Sequence, residues 1–424
     1  MTPQNRTETS IENLQRIFNA MYQWAEKESY CGWDPYDWMN SPLSKRLPAS
    51  VNNIMIRINL YLPVNLRPAC GIEKIRINKA LALFSRAYAD MYTTTHNEAY
   101  KQEMEKLLTT LCQNRIEYEN EVGWSAYPFK FFGYYSGHKH ILASNIPDII
   151  GTTEAIKALC LGYQITKKKE WYDAAKKGIN YILAVHVTSM KVDSQNYTVV
   201  KYTPAEKGRV VFNVSGLFLE TISEYLKITN ESKHDLIEVG ENVLEFLIKY
   251  QYKDGAWAYS YYTEIKEYRN QFDYHQGFKL DGIMAFYPYI GKKELKERAK
   301  EALKKGSKYY REVLFTPEGV SYYRYPKRYP IDIHNQAQGV LTFSKLYAFE
   351  KNIEHIKCAE KILSWTLQNM WDKRGFFYSH KWPFFTNRTP YIRWSHAWMM
   401  HAIAKFLQVS QNPILNKENA GIIS

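Results

Sequence analysis

Long apolar runs are missing from this chain: nowhere do eighteen or more apolar residues follow one another, so no membrane-spanning helix is expected. The first residues, Met1 to Leu14, are polar, so no secretory leader is expected and the cytoplasm is the expected location. Cysteine is scarce. The five present (Cys31, Cys70, Cys112, Cys160, Cys358) lie far apart, without a Cys-x-x-Cys pair and with an odd total, which speaks against a disulfide framework or a thiolate zinc site. There is no Gly-x-Ser-x-Gly nucleophile turn and no glycine loop to cradle phosphates, so neither acyl-enzyme chemistry nor a nucleotide cofactor is expected. Nor is there a helix-turn-helix, a zinc finger or an aromatic RNA-binding strand. The formal net charge of +13 therefore reads as solvated helix faces, such as the lysine-rich run Lys292 to Lys308, and nucleic acid is not an expected partner.

Aromatic residues are abundant, with 35 Tyr, 11 Trp and 19 Phe, and such rings serve either as core or as platforms for sugars. A length of 424 residues exceeds one ordinary core unless the chain is repetitive. It is. Segments that are apolar nearly all round (Ala80 to Ala89, Thr153 to Leu161, Gly216 to Leu226, Gly277 to Tyr289, Ala337 to Ala348, Ala397 to Leu407) alternate with amphipathic Lys/Glu-rich ones (Ala99 to Cys112, Trp171 to Leu183, Leu236 to Ile248, Leu295 to Tyr310, Ile356 to Leu367). The sixth apolar segment lacks a following partner, but the amphipathic stretch Ile11 to Lys27 can close the circle. The expectation is all-α: one (α/α)6 toroid over 1–424, with an N-terminal helix within 1–30 closing the ring and a C-terminal tail over 409–424. Gly-aromatic loops at Gly123-Trp124, Gly255-Ala256-Trp257, Gly319 and Gly375 predict helix C-caps followed by short β-hairpins crowded at one end of the barrel.

Polar residues where the inner helices begin should converge on the axis. Asp273-Tyr274-His275 and Asp332-Ile333-His334 each place an Asp two residues before a His. The Asp suits a helix cap, and the His suits proton exchange near neutrality or a plain structural hydrogen bond. Arg393-Trp394-Ser395-His396 offers a guanidinium for carboxylates, an indole for a sugar ring and an imidazole. Tyr202, Asn213, Glu154, Gln338, Trp124 and Trp257 are further candidates for substrate contact. In the loop Trp33-Asp34-Pro35-Tyr36-Asp37 the two carboxylates are either an acid and base or merely a turn. The candidate acid/base set is thus Asp273, His275, Asp332, His334, Asp34 and Asp37; no metal is expected. Gln251 to Trp257 spells Gln-x3-Gly-x-Trp, the repeat of triterpene cyclases. It occurs once, without their acidic motifs, and reads as toroid stitching.

Gly32-Trp33-Asp34-Pro35-Tyr36-Asp37, Tyr202-Thr203-Pro204, Phe272 to Phe278, Pro330 to His334 and Tyr391 to Trp394 together resemble the VpsJ-like polysaccharide biosynthesis proteins, a group sometimes labelled aminolevulinate dehydratase-like. The resemblance spans nearly the whole chain. It implies a six-hairpin toroid and a role in making or modifying exopolysaccharide, capsule or surface glycan. One departure stands out: Trp124-Ser125-Ala126-Tyr127-Pro128-Phe129-Lys130 ends on Lys where that group has a carboxylate. The expected function is general acid/base chemistry on a polysaccharide or oligosaccharide, by hydrolysis, β-elimination or epimerisation, with Arg393 as the carboxylate partner if the sugars are acidic. A non-catalytic glycan-binding or assembly protein is the alternative, and a terpenoid cyclase-like enzyme a distant third.

Overall fold

The computed structural model describes residues 9–411 except 130, 136–137 and 143–145. Thirteen α-helices occur among them: α1 (Ile11–Lys27), α2 (Ala49–Tyr61), α3 (Asn78–Thr95), α4 (Glu98–Gln113), α5 (Ile149–Thr166), α6 (Lys169–Tyr181), α7 (Phe212–Leu226), α8 (His234–Lys249), α9 (His275–Phe286), α10 (Lys293–Val313), α11 (Ile333–Glu350), α12 (Ile353–Met370) and α13 (Trp398–Ser410). Helices α3, α5, α7, α9, α11 and α13 pack side by side in that order, and α13 returns to α3. The helices of this closed inner ring are buried on most sides because both their flanks and their backs are covered; in α3 every side chain from Lys79 to Met91 is buried. The other helices, apart from α2, form the outer ring of an (α/α)6 toroid. In α10 only one stripe (Leu295, Ala299, Ala302, Leu303, Gly306, continuing through Ser307, Tyr309 and Tyr310) is buried, and the lysines between face solvent.

All twelve expected helices are present, and α1 packs on α13 to close the circle. Two details differ from expectation. The helix α13 runs to Ser410, past the expected start of the tail at 409, and 412–424 fall outside the described residues. The loop glycines are not helix caps: Gly255 (φ 98°) and Gly375 (φ 102°) lie several residues beyond α8 and α12, at the tips of tight turns. A Cβ on Gly255 would meet the Lys305 carbonyl oxygen at 2.3 Å, so packing and backbone both demand glycine there. Short antiparallel pairs, such as Ile116–Tyr118 with Glu121–Gly123 and Trp371–Asp372 with Phe376–Phe377, link outer helices back to inner ones.

Helix α2 was not expected. Its sequence is rich in Asn and β-branched residues, weak helix formers, and its helicity is imposed from outside. Trp38 Nε1 donates to Asn52 Oδ1 at 2.8 Å, and Asn52 Nδ2 donates to the carbonyls of Ser44 and Leu47. The α7–α9 contact is closest of all: a Cβ on Gly282 would lie 2.2 Å from the Gly216 carbonyl oxygen. The two backbones touch there.

Candidate functional site

Where the inner helices start, a cleft of about 570 Å³ opens along the ring axis. Four inner helices present their second residue to it: Lys79, Ile150, Asn213 and His334. Helices that run parallel from one level show equivalent early positions to the axis, which is how residues far apart in sequence become neighbours. Helix α9 adds His275 with the preceding Asp273 and Tyr274. The approach to α13 adds Arg393 and Trp394, and α2 supplies a side wall through Asn53, Ile56, Arg57 and Tyr61.

Asp273 and His275 form a dyad. Asp273 Oδ1 accepts the His275 Nδ1–H at 2.6 Å and the helix-capping backbone N–H at 3.1 Å, while Oδ2 accepts from Gln271 Nε2 at 2.6 Å. Burial alone would raise this carboxyl, but the His275 ring and the N–H donors outweigh it and hold it below the usual carboxylate range. Burial lowers the His275 imidazole despite Asp273, so the ring is neutral, with its proton on Nδ1 and a lone pair on Nε2. That Nε2 has no hydrogen bond to a described residue.

Asp332 has the opposite character. Its Oδ1 accepts from the His334 backbone N–H at 2.9 Å and from Trp394 Nε1 at 2.8 Å, and Oδ2 lies 3.8 Å from His380 Nε2. Burial pushes this carboxyl up to about 7 and the His380 imidazole down to about 3. Between the two Asp-x-His pairs stands Tyr274, stacked on His275 and on His334 with centroids 4.1 Å away on each side. His334 also stacks on Trp398 at 4.8 Å.

Several polar atoms of the cleft have no hydrogen-bond partner among the described residues: Asn213 Oδ1 and both ring nitrogens of His334 are buried in that condition. A buried orphan costs about 1–3 kcal/mol unless something fills it, and all three such atoms belong to residues that line one hollow, which suits a polar ligand. Among the described residues no cluster of three or more His, Cys, Asp or Glu side chains could hold a metal ion.

Of the residues singled out from sequence, Asp273, His275, Asp332, His334, Arg393, Trp394, Tyr202 and Asn213 share this cleft. Seven others do not line it. Asp34 pairs with Arg393 through Nε at 2.8 Å and Nη2 at 3.1 Å, and Asp37 pairs with Arg67 at 2.8 and 2.9 Å, so both carboxylates clamp the N-terminal loop. His396 bonds the Met21 carbonyl at 3.0 Å beneath Trp24, at the ring closure. Glu154 lies deeper in the barrel against Arg86 and Lys157, and Gln338 bonds Asp281 and Thr342. Trp124 and Trp257 are fully buried, with Nε1 donating to the carbonyls of Leu111 and Leu247. The Gln-x3-Gly-x-Trp segment is stitching: Gln251 Nε2 donates to the Gly255 and Ala302 carbonyls, and Gln276 ties the Trp257 backbone down from both sides. Lys130 lies outside the described residues.

Sequence reading missed Lys79, Tyr274, His380 and the α2 wall. The signal for Lys79 is present: it is the second residue of α3, as His334 is of α11, but it lies one residue outside the apolar run that begins at Ala80.

The fold is that of a six-hairpin toroid. Similar solved structures include a cellobiose 2-epimerase from Bacillus thermoamylovorans (TM-score 0.60, 13% identity, 80% of this chain and 90% of that one). A GH76 α-mannanase from Bacteroides thetaiotaomicron (0.57, 11%, 81% and 88%) and an unsaturated glucuronyl hydrolase specific for heparin (0.58, 13%, 81% and 90%) are similar as well. At such identities the likeness establishes architecture. No protein-family model and no curated protein sequence matches the chain.

Proposed function

We propose that the protein is an enzyme that moves protons on a sugar residue of an oligosaccharide or polysaccharide, with His275 Nε2 as base and the Asp332 carboxyl as acid. The observation that carries this reading is the pairing, in one aromatic-walled cleft, of a carboxylate-oriented neutral imidazole with a buried carboxyl that keeps its proton close to neutrality. Asn213 and His334, with their unpartnered atoms, are suited to hold sugar hydroxyls, and Trp394 and Tyr202 offer ring faces.

Hydrolysis fits less well. It ordinarily uses two free carboxyl groups, one to protonate and one to activate water or attack. Both oxygens of Asp273 are already engaged by His275 and Gln271, which leaves Asp332 as the carboxyl able to act. A neutral imidazole opposite a carboxylic acid suits removal of a proton from carbon, as in epimerisation or β-elimination. The resemblance to VpsJ-like proteins suggests polysaccharide biosynthesis as the setting, and a sugar-processing role agrees with the names of the structurally similar enzymes.

The test is a panel of oligosaccharides incubated with the protein in deuterated water and read by mass spectrometry. Deuterium at a sugar carbon is expected from epimerisation and an unsaturated product from elimination, and replacing His275 by Ala should lower kcat about 100- to 10,000-fold while ligand is still bound. Binding without turnover by the unaltered protein would instead make it a glycan-binding module, and cleavage that adds the elements of water, with neither carbon exchange nor an unsaturated product, would make it a hydrolase.

A further inference from the structure

Most of the charge lining the cleft is paired, packed against rings or open to solvent. Asp34 covers the Arg393 guanidinium, so the residue expected to receive a substrate carboxylate is already neutralised. Arg324 stands at the rim over the Tyr323 ring, with Nε 4.0 Å from Asp273 Oδ2, and Arg57 is exposed to solvent. Lys79 differs from these. It is 5% exposed, lines the cleft, and its ammonium has neither a hydrogen bond nor an ion pair to a described residue. Its neighbours are the faces of Trp398, 5.1 Å from Nζ to the centroid, and of Phe278, at 6.0 Å. Trp398 is the ring on which His334 stacks, so the ammonium and the unpartnered imidazole share one floor. Two carboxylates lie nearby: Glu154 is occupied by Arg86 and Lys157, and Asp148 accepts the backbone N–H groups of Ala126 and Gly151. The segment 130–145 contains no Asp or Glu.

A buried, unpaired ammonium is expensive, and ring faces compensate it only in part. A protein that keeps one at the bottom of a cleft holds a place for an anion. We infer that the Lys79 ammonium receives the carboxylate of a uronic acid residue, making the substrate an acidic glycan rather than a neutral one.

One cation matches one negative charge, whereas a sugar phosphate would bring close to two. The assignment rests on the sugar reading above and adds chemistry to it. In a uronate the C5 hydrogen is adjacent to the carboxylate. When His275 Nε2 takes that proton, the electron pair left on C5 spreads onto the carboxylate oxygens, and an ammonium beside them stabilises the added charge. The Asp332 proton then goes to C5 on the opposite face, giving the epimer, or to the oxygen leaving C4, giving the unsaturated sugar. Either course balances without an oxidant or a further reactant.

The experiment is calorimetric titration of the full-length protein with glucuronate, galacturonate and mannuronate, each beside its neutral aldose, and with glucose 6-phosphate. At least one uronate should bind about ten- to a hundredfold more tightly than its neutral partner. Lys79→Met, close in volume, should erase that preference, and Lys79→Arg should keep much of it. Because burial holds the empty Lys79 down at about 8, the preference should fade above pH 8 in the unaltered protein and not vary with pH in Lys79→Met. Lys79→Met should melt at a higher temperature than the parent, which certifies its fold. Equal affinity for uronate and neutral sugar, equal weakening of both by Lys79→Met, or tighter binding of the phosphate would each overturn the assignment. Binding of none of these sugars overturns this proposal, and the sugar reading falls with it only when the oligosaccharide panel also shows neither binding nor turnover.

Discussion

The Asp332 side chain accepts two good hydrogen bonds and still titrates near 7, because removing a carboxylate from water costs more than two N–H donors return. Its folded-state value lies above the unfolded one, so its contribution to stability is fully present below about pH 4 and is lost as pH rises through 7. Asp332→Asn keeps the acceptor for His334 and Trp394 but cannot ionise. Relative to the parent, this variant should therefore gain stability from pH 4 upward, reaching on the order of 4 kcal/mol by pH 8, as measured by denaturant unfolding at several pH values. The same ionisation should set the alkaline limb of kcat/KM if Asp332 is the acid, and a pH-independent stability difference would remove the argument. His275 behaves otherwise for a local reason: Asp273 fixes its tautomer, while burial keeps the ring neutral.

Among the elements, α9 decides the site. It begins with the dyad and is held against α7 by two facing glycines, so the position of His275 depends on a contact seven residues further along the helix. Gly282→Ala would drive a Cβ into the Gly216 carbonyl oxygen and is expected to cost about 3 kcal/mol or more in urea unfolding, with turnover lost in proportion. An unchanged midpoint would show that the helices separate easily and that the start of α9 is positioned by its loop. Helix α2 teaches the reverse lesson. Nothing in its sequence declares a helix, yet Trp38, Arg67 and Asn387 bind its side chains and carbonyls and turn it into a wall of the cleft.

For the whole molecule, closure of the ring is the event that creates the cleft, and His396 sits at the seam. Burial holds its imidazole down at about 3, far below its value in an unfolded chain. A depressed imidazole contributes stability that is present above about pH 6.5 and lost as pH falls toward 3, since the unfolded chain takes up a proton the folded one refuses. His396→Leu removes that sensitivity. Whatever it costs at pH 7 through the missing bond to the Met21 carbonyl, the deficit should shrink by about 2 kcal/mol by pH 5. A deficit that stays constant between these pH values would mean that the ring seam is open to water.

The sequence alone determined the twelve ring helices, because burial on all sides and burial on one side leave different periodicities, and a strict alternation of the two has few closed solutions. It also pointed to the Asp-x-His starts of α9 and α11, since an acidic cap followed by a polar residue inside an apolar helix is hard to explain by packing. Only the tertiary structure decided which polar residues meet. Asp34 and Asp37 stand in the same loop as cleft-lining Tyr36 but are consumed by Arg393 and Arg67, and Trp124 and Trp257 look like sugar platforms but close the core. Lys79, one residue outside an apolar run, emerges as a buried cation with no ion pair to a described residue. Partnership is a property of three-dimensional distance, and no local pattern in the chain encodes which charges will find a counterion.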